Sequence, residues 1–256
     1  MCALLLVVAI VAGLGVSAAP AGSIVLAPTI ILIGSGDLAT SISVRNETET
    51  PASFSVRVFT WRNSETGEMH LEATDDVIVY PEVLNLQPGE SRRIRLGSRH
   101  PREQHGLLER AYRLLLESLP EPNPAPGAGL TVRLRLQFSL PIFLQPQDRA
   151  ARVSLQPPSI DGRRATLSLS NVGRVHVTPT RINLTGLGPA GQIVWTKALR
   201  PWYVLAGETR QLSVELSPDE CRGTAVIVAE AGFSEGNQLT VREKRPVSPD
   251  AVCGAR

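Results

Sequence analysis

Residues 130–142, LTVRLRLQFSLPI, have an apolar side chain at every second position, and this pattern constrains the fold more than any other feature. The apolar positions all have the same parity: Leu130, Val132, Leu134, Leu136, Phe138, Leu140 and Ile142. Successive side chains of a β-strand point to opposite faces, so the pattern predicts a strand with one wholly apolar face. At about 3.3 Å per residue it would span roughly 43 Å, whereas ordinary strands contain about 5–6 residues. We therefore expect this strand to be longer than the core of its own domain requires.

The rest of the chain is also typical of strands and turns. Residues 52–62 alternate in the same way. Residues 109–120, ERAYRLLLESLP, are rich in Leu, Arg and Glu, which suits a helix, but the surrounding strands favour a strand at residues 111–118. With 256 residues, the chain has room for two domains of about 100–125 residues each. We predict an all-β protein with two sandwich domains, residues 22–147 and residues 148–256.

Two similar patterns, one in each predicted domain, combine a strand-ending asparagine with a Gly-Glu turn. Asn46 and Asn171 each follow an alternating strand, while Gly89-Glu90 and Gly207-Glu208 each follow a short apolar segment. Asparagine side chains hydrogen-bond nearby backbone groups in turns. We interpret the two patterns as a strand–turn device used once per domain, and we expect Asn46 to fix the turn at its strand end.

Residues 1–21 are predicted to be a signal peptide. Ala3–Val16 is an apolar run of about the length of a signal-peptide core, and Val16-Ser17-Ala18 resembles a cleavage site. No Lys or Arg precedes the apolar run, so an uncleaved membrane anchor is the alternative. Cleavage would leave Cys221 and Cys253, and two cysteines in an exported chain suggest one disulfide.

Composition and motifs argue against catalysis and against nucleic-acid binding. The formal net charge is +2, and the 24 acidic residues are interspersed among the basic ones. No Gly-x-Ser-x-Gly elbow, phosphate-binding glycine loop or His-x-x-x-His pair is present. His100 and His105 lie in a polar segment that we interpret as an exposed loop, with a metal pair as the weaker alternative. We therefore expect a binding protein with no catalytic residues, no cofactor, no metal site and no small-molecule ligand.

Four segments, in this order, resemble the periplasmic chaperones of the chaperone–usher pathway, the PapD-like family. They are VRNETETPASFSVRVFTW (44–61), VYPEVLNLQPGESRRIRL (79–96), ERAYRLLLESLP (109–120) and LRLQFSLPIFLQP (134–146). The last two are more similar in form to the archaic or spore-coat-type branch of the family. The resemblance implies two immunoglobulin-like β-sandwich domains in an L-shaped arrangement, with a cleft between them.

The resemblance also implies a function. A pilus or fimbrial subunit is a sandwich that lacks its last strand, and the chaperone lends a strand in its place by donor-strand complementation. The expected partners are pilin or fimbrial subunits and an outer-membrane usher, and the expected location is the periplasm. The free protein could also form a homodimer in which each copy covers the donor strand of the other. The alternative is an exported structural or adhesive immunoglobulin-like protein, in which the long strand is core or a self-association edge.

The resemblance places the donor residues in the long strand. The donor positions are Val132, Leu134 and Leu136, with Leu130 and Phe138 as outer candidates. The alternative is that this parity faces the core of the first domain, which we expect from Phe138 onward. Proline removes a ladder hydrogen bond, so we expect the strand to change its partner at Pro141.

The resemblance leaves the anchor of the subunit's C-terminus open. The best-known family members hold that carboxylate with an Arg in the first strand and a Lys in the donor strand. Here Ile30 and Pro141 occupy the corresponding positions, and neither binds an anion. Arg95 or Arg113 could substitute, because a guanidinium fork suits a carboxylate; the alternative for each is a structural or surface role. Glu109 matches an acidic position of the family's interdomain charge network, but without the matching Arg we interpret it as structural.

Overall fold

A computed structural model describes residues 23–99, 107–120, 135–200, 202–233 and 240–247. The strands described in the first half are, in chain order, β1 (Ile24–Ala27), β2 (Ile31–Ile33), β3 (Ala39–Asn46), β4 (Ala52–Asn63), β5 (Met69–Ala73), β6 (Val77–Tyr80), β7 (Val83–Leu86), β8 (Ser91–Ser98), β9 (Arg110–Ser118) and β10 (Gln137–Leu144). The predicted signal peptide, residues 1–21, lies outside the described residues. Among the residues that are described, no helix is long and apolar enough to cross a membrane.

The strands of the first half form two sheets that face each other across one core. One sheet has the order β1-β3-β8-β6, and the other has the order β2-β10-β9-β4-β5, with β7 also paired to β4. Alternate residues of each strand point inward, and they include Phe54, Ile94, Tyr112 and Leu114. The strand predicted at residues 111–118 is confirmed as β9. We call this unit the first sandwich.

The second half repeats this arrangement. Its elements are β11 (Val153–Leu155), β12 (Ser159–Asp161), β13 (Arg164–Asn171), β14 (Pro179–Leu187), β15 (Ile193–Leu199), β16 (Thr209–Glu215), α1 (Pro218–Gly223), β17 (Val226–Phe233) and β18 (Thr240–Pro246). One sheet contains β11, β13 and β12, with β16 also paired to β13, and the other has the order β15-β14-β17-β18. A separate core, with Leu167, Leu184 and Trp195 among its members, fills the space between them. The prediction of an all-β protein with two sandwiches is confirmed, and we call this unit the second sandwich.

The short helix α1 was not predicted, although its start is well specified by the sequence. Ser217 accepts a hydrogen bond from the backbone N–H of Glu220, and the Glu220 side chain accepts one from the Ser217 backbone. This reciprocal pair is a capping box, and Pro218 at the first helical position adds to it. The hydrogen bond with Lys197, together with that from the Ser217 backbone N–H, lowers the pKa of Glu220 below its ordinary value.

The asparagine device recurs in both sandwiches with the same hydrogen bonds. The backbone N–H of Asn46 donates to the Glu90 carbonyl over 2.9 Å, and its carbonyl accepts from Gly89 over 2.7 Å. Asn171 repeats this with Glu208 at 2.9 Å and Gly207 at 3.1 Å. Each buried side-chain amide also donates to two backbone carbonyls, those of Thr50 and Leu86 for Asn46, and those of Val175 and Val204 for Asn171. Both turns are therefore tied to the end of a core strand, and the role predicted for Asn46 is confirmed.

An aromatic cluster joins the two sandwiches. Trp61 and Phe143 of the first sandwich and Leu205 of the second are buried together, and Tyr203 packs against them. The rings of Trp61 and Tyr203 meet edge to face with their centroids 5.5 Å apart. His176 of the second sandwich stacks on Phe143, with 3.6 Å between the ring centroids. Since aromatic pairs stabilise by about 0.5–1.5 kcal/mol beyond the area they bury, this cluster is a substantial interdomain contact.

Candidate functional site

Strand β10, the described part of the predicted long strand, is paired along only one of its edges for most of its length. On one side it pairs with β9 at every residue from Gln137 to Leu144. On the other side it pairs with β2, in parallel, only at Ile142–Leu144. No described strand pairs with this second edge upstream of Ile142. The edge is therefore covered on one side of Pro141 and unpaired on the other, which agrees with the change of partner expected at this proline.

The apolar face of β10 leaves the core at its upstream end. Leu144, Ile142 and Leu140 belong to the core of the first sandwich. Phe138 is only partly buried and packs against that core, with its ring centroid 6.1 Å from that of Phe54. Leu136 continues the same parity and is 45% exposed. The core of the first sandwich thus ends at Phe138, and the apolar alternation continues past it. The other donor positions, Leu130, Val132 and Leu134, lie outside the described residues.

Arg113 lies beside the point where β10 changes its edge partner. It pairs directly with Pro141 of β10 on one side and with Phe59 of β4 on the other. Its chain neighbours Tyr112 and Leu114 point into the core, so its own side chain lies on the opposite face of the sheet. Directly paired residues of antiparallel strands point to the same face. Arg113 and Pro141 therefore lie side by side on the face that also carries the interdomain aromatic cluster.

The guanidinium of Arg113 is buried without full hydrogen bonding. The residue is 4% exposed, and its Nε and Nη2 atoms have no hydrogen-bond partner among the described residues. Its Nη1 reaches the Ser139 carbonyl only at 3.5 Å. The guanidinium stacks on the Trp61 ring, 3.7 Å from its centroid, with the Trp202 and Tyr203 rings 5.9 and 6.0 Å away. Burial lowers the pKa of Arg113. The guanidinium has two nitrogen atoms without an acceptor, and its planar fork suits a carboxylate. Both atoms are closed to solvent, so an anion could reach them only if the covering side chains moved.

Arg95, the other candidate for the anchor, lies in a different environment. It is on β8, in the sheet that does not contain β9 or β10, and it pairs with Ser41 and Tyr80. Its side chain is exposed, while its chain neighbours Ile94 and Leu96 fill the core. The structure therefore brings Arg113, and not Arg95, to the aromatic face between the two sandwiches.

Glu109 has an interdomain partner that the sequence did not reveal. Its side chain is 1% exposed, and its Oε1 accepts the backbone N–H of His176 over 2.8 Å and contacts His176 Nδ1 at 2.6 Å. No arginine stands at the matching position of the family network, and the described partner of Glu109 is His176 of the second sandwich. These contacts join the two sandwiches, so they agree with the interpretation of Glu109 as structural.

The residues around Arg113 that sequence reasoning missed come from distant parts of the chain. Trp202 and Tyr203 belong to the second sandwich, and Trp61 lies near the end of β4. The only signal was the pair of adjacent aromatic residues, in a chain with few aromatic side chains. Nothing local in the sequence indicates which arginine such a pair contacts.

The predicted disulfide is only partly covered by the structure. Cys221 is fully buried and disulfide-bonded. Cys253 lies outside the described residues, so the pairing of these two cysteines stays a prediction. His100 and His105 are also outside the described residues. Among the residues that are described, no group of three or more His, Cys, Asp and Glu side chains could hold a metal ion.

Comparison with known proteins identifies the family. Residues 23–150 match the family described as "Pili and flagellar-assembly chaperone, PapD N-terminal domain". The chain belongs to the PapD family of pilus-assembly chaperones. The matched range contains the first sandwich of this chaperone, including β10 and Arg113. No curated protein matches the chain.

The fold of this chaperone is similar to those of several solved structures. In the complex of the CsuC chaperone with the CsuE tip adhesion subunit from the archaic Csu pili of Acinetobacter baumannii, the matching chain is 20% identical, with a TM-score of 0.60; the match covers 86% of this chain and 98% of that one. The CupB2 chaperone of Pseudomonas aeruginosa is 12% identical, with a TM-score of 0.53 and coverage of 87% and 100%. In the complex of the SafA pilin with the SafB chaperone of Salmonella enterica, the matching chain is 15% identical, with a TM-score of 0.53. The match covers 88% of this chain and 96% of that one. These likenesses support the two-sandwich fold.

Proposed function

We propose that this protein is a periplasmic chaperone that captures pilus subunits by donor-strand complementation and delivers them to an outer-membrane usher. The observation that carries the proposal is the upstream half of β10. There an unpaired strand edge coincides with an apolar face that continues past the core of its own sandwich. The protein acts by binding, and none of the described contacts indicates catalysis.

The physical advantage of such a strand lies in what it does for the subunit. A sandwich that lacks one strand has an unpaired sheet edge and an open apolar groove, and both promote aggregation. A lent strand supplies backbone hydrogen bonds to the edge and alternate apolar side chains to the groove. Leu136 is the described residue in position to enter the groove, and Val132 and Leu134 have the same parity upstream.

Arg113 is the proposed anchor for the subunit's C-terminal carboxylate. Its two unpaired nitrogen atoms are buried beside Pro141, at the upstream limit of the pairing between β10 and β2. A carboxylate that binds there would supply the missing acceptors, and a charge-assisted hydrogen bond contributes about 1.5–3 kcal/mol. Arg95 is the less favoured candidate because it is exposed on the other sheet.

The other features of an exported chaperone follow as parts of the same proposal. Cleavage of the signal peptide on export would remove residues 1–21, and oxidation in the periplasm would pair Cys221 with Cys253. Thiol labelling of the purified protein tests the bridge, because two free thiols would contradict it. A homodimer that covers the donor strand of the free protein is testable by size-exclusion chromatography with and without subunit.

The replacement of Leu136 by Asp tests the donor-strand mechanism. The chaperone is co-expressed with a pilin-like subunit from the same genome, and the subunit recovered with the tagged chaperone is measured. Leu136 is exposed in the free protein, so Leu136→Asp should change folding by less than about 0.5 kcal/mol. In the subunit groove an unpaired carboxylate is costly to bury, so capture should fall at least about tenfold.

Leu38→Asp is the matched control, because Leu38 is 57% exposed and lies just before β3 of the other sheet. Normal capture by Leu38→Asp together with loss of capture by Leu136→Asp supports the mechanism. Normal capture by Leu136→Asp would contradict it. A subunit that is equally stable without this protein would instead favour a structural or adhesive role.

A further inference from the structure

The turn between β4 and β5 extends from the first sandwich and contacts the second. Within the turn, the Gly67 N–H donates to the Ser64 carbonyl over 2.9 Å, and the Ser64 N–H donates to the Glu68 carbonyl over 2.9 Å. Gly67 has a φ of +96°, a conformation that favours glycine. These bonds give the turn a defined shape, so its contacts with the second sandwich can fix the positions of side chains in the first sandwich.

Two groups of hydrogen bonds attach this turn to the second sandwich. In the first, Glu208 accepts the Asn63 backbone N–H at Oε1 over 2.8 Å and the Asn63 side-chain amide at Oε2 over 3.0 Å. In the second, Gln211 donates its backbone N–H to the Glu65 carbonyl and its side-chain amide to Glu65 Oε2, each over 2.7 Å. Each group has two hydrogen bonds, but the groups differ in the further residues that they contact within the first sandwich.

Only the Asn63 group is connected to the proposed anchor. The Oδ1 atom of Asn63 accepts the indole N–H of Trp61 over 2.9 Å. Trp61 is 2% exposed, and its ring supports the guanidinium of Arg113 at 3.7 Å. A continuous series of contacts therefore runs from Glu208 in the second sandwich, through Asn63 and Trp61, to Arg113.

We propose that Asn63 and Glu208 are positioning residues for subunit capture, because they hold the Trp61 ring that presents Arg113 to the subunit's C-terminal carboxylate. This inference rests on the proposed function of Arg113. Glu208 fixes the orientation of the Asn63 side-chain amide because its Oε2 accepts an N–H of that amide while its Oε1 accepts the Asn63 backbone N–H. The remaining amide oxygen then has a fixed direction toward Trp61, and the ring cannot rotate without leaving its indole N–H buried and unpaired.

The same contacts allow a reciprocal exchange of the two side chains. Asn63→Asp keeps an acceptor for the Trp61 indole but sets two carboxylates against each other. Glu208→Gln sets its amide N–H groups against those of Asn63. The double variant, Asn63→Asp with Glu208→Gln, restores all three hydrogen bonds, since the new glutamine amide donates to the new aspartate and its oxygen accepts the backbone N–H. Gln211→Ala is the control, because it removes an interdomain hydrogen bond that is not connected to Trp61.

The test measures whether the protein distinguishes a carboxylate from an amide. The probe is a short acetylated peptide of alternating valine and threonine, made once with a free C-terminal carboxylate and once with a C-terminal amide. Dissociation constants for both forms are measured by NMR titration of the full chain. The Trp61 indole N–H resonance is followed in the same spectra, in which three tryptophans give few overlapping signals.

The wild-type protein should bind the carboxylate form at least about tenfold more tightly than the amide form. Asn63→Asp and Glu208→Gln should each reduce this preference to less than about threefold and shift the Trp61 indole resonance. The double variant should recover the carboxylate preference and the wild-type Trp61 resonance, and Gln211→Ala should retain both of these readouts. A general loss of interdomain rigidity would weaken both peptide forms equally and leave the preference unchanged.

Three results would overturn the proposal in distinguishable ways. If the wild type prefers the carboxylate and the two single variants prefer it equally, Asn63 and Glu208 do not position Arg113, although the anchor itself stands. If the wild type shows no preference, the anchor role of Arg113 is wrong, and the positioning role is wrong with it. A Gln211→Ala variant that loses the preference as fully as Asn63→Asp would also contradict the specific path through Trp61.

Discussion

Replacing Arg113 with methionine should stabilise the free protein and impair its function. Arg113 is 4% exposed, and two of its nitrogen atoms have no hydrogen-bond partner among the described residues. A buried group of this kind is unfavourable for folding unless something binds to it. Methionine retains an unbranched stem of similar length, so it fills most of the same space without any donor. The variant therefore tests separately whether the Arg113 guanidinium is needed for folding and whether it is needed for binding the subunit.

The expected size of the stabilisation follows from the contacts of the guanidinium. Each buried unpaired donor costs about 1–3 kcal/mol, so Nε and Nη2 together cost about 2–6 kcal/mol. The stacking of the cation on Trp61 offsets about 2 kcal/mol of this. The contact with the Ser139 carbonyl, at 3.5 Å, is too long to contribute much. The difference is about 0–4 kcal/mol, so we expect Arg113→Met to raise the free energy of unfolding by up to about 4 kcal/mol.

Urea unfolding at neutral pH measures the stability, and co-purification of a co-expressed pilin-like subunit measures capture. Capture should fall about 10- to 100-fold, the equivalent of one charge-assisted hydrogen-bonded pair. Arg57→Met is the matched control. Arg57 lies on the same face of the same sheet, but its side chain is 57% exposed and pairs with Glu117. Exposed ion pairs contribute about 0–1 kcal/mol, so this variant should change stability little and leave capture intact.

The reasoning would be refuted by a destabilised Arg113→Met variant. If its free energy of unfolding falls by more than about 1 kcal/mol while that of Arg57→Met is unchanged, Arg113 stabilises the aromatic cluster and is not an unsatisfied binding group. Undiminished capture by a stable Arg113→Met variant would refute the anchor role separately. Arg113→Lys adds a further check, because it keeps the charge but loses the planar fork, and we expect it to capture poorly.

Two further predictions concern the scaffold. Asn46→Ala and Asn171→Ala should each lower the free energy of unfolding by about 1–3 kcal/mol, because each removes two side-chain hydrogen bonds to backbone carbonyls. Calorimetry that shows a change of less than about 0.5 kcal/mol for either would contradict this. Glu220→Gln should destabilise the protein at neutral pH but not in acid. The folded-state pKa of Glu220 is lowered from 4.5, so its stabilisation is present above that pH and is lost as the pH falls through the folded-state value. A difference between wild type and Glu220→Gln that persists undiminished at pH 3 in urea titrations would contradict this prediction.

Features with a short sequence period could be predicted because their physical cause is local. Strict alternation identified β10 and the parity of its core face, since the pleat of a strand permits one assignment of side chains to faces. The two asparagine devices were also visible, because the asparagine and its Gly-Glu turn have similar local sequences in both sandwiches. The point where β10 leaves the core was expected at Phe138, and the exposure of Leu136 agrees with it.

Features made by the meeting of distant segments could not be predicted in the same way. The sequence lacks the arginine that would pair with Glu109 in the family and offers no other partner, whereas in the structure Glu109 contacts His176, which lies 67 positions further along the chain. The relation of Trp61 to Arg113 depends on strands that are adjacent in the sheet but far apart in sequence. Aromatic and charged side chains show no periodicity at such contacts, so the sequence indicated Arg113 and Glu109 as candidates but not the side chains that contact them.

The register of the sheet also explains how an anchor can persist when the expected residues are missing. Alignment along the sequence puts Pro141 where the family's donor-strand lysine is expected, and it therefore indicates that the cation is lost. In the structure Pro141 pairs directly with Arg113, and directly paired side chains of antiparallel strands lie about 4.5–5.5 Å apart on one face. A cation on β9 can thus serve nearly the same position as a cation on β10. An alignment compares residues along one strand, whereas a bound carboxylate contacts the whole face. For this reason, the absence of an anchoring cation from one strand should be judged only after the cross-strand neighbours of that position have been inspected.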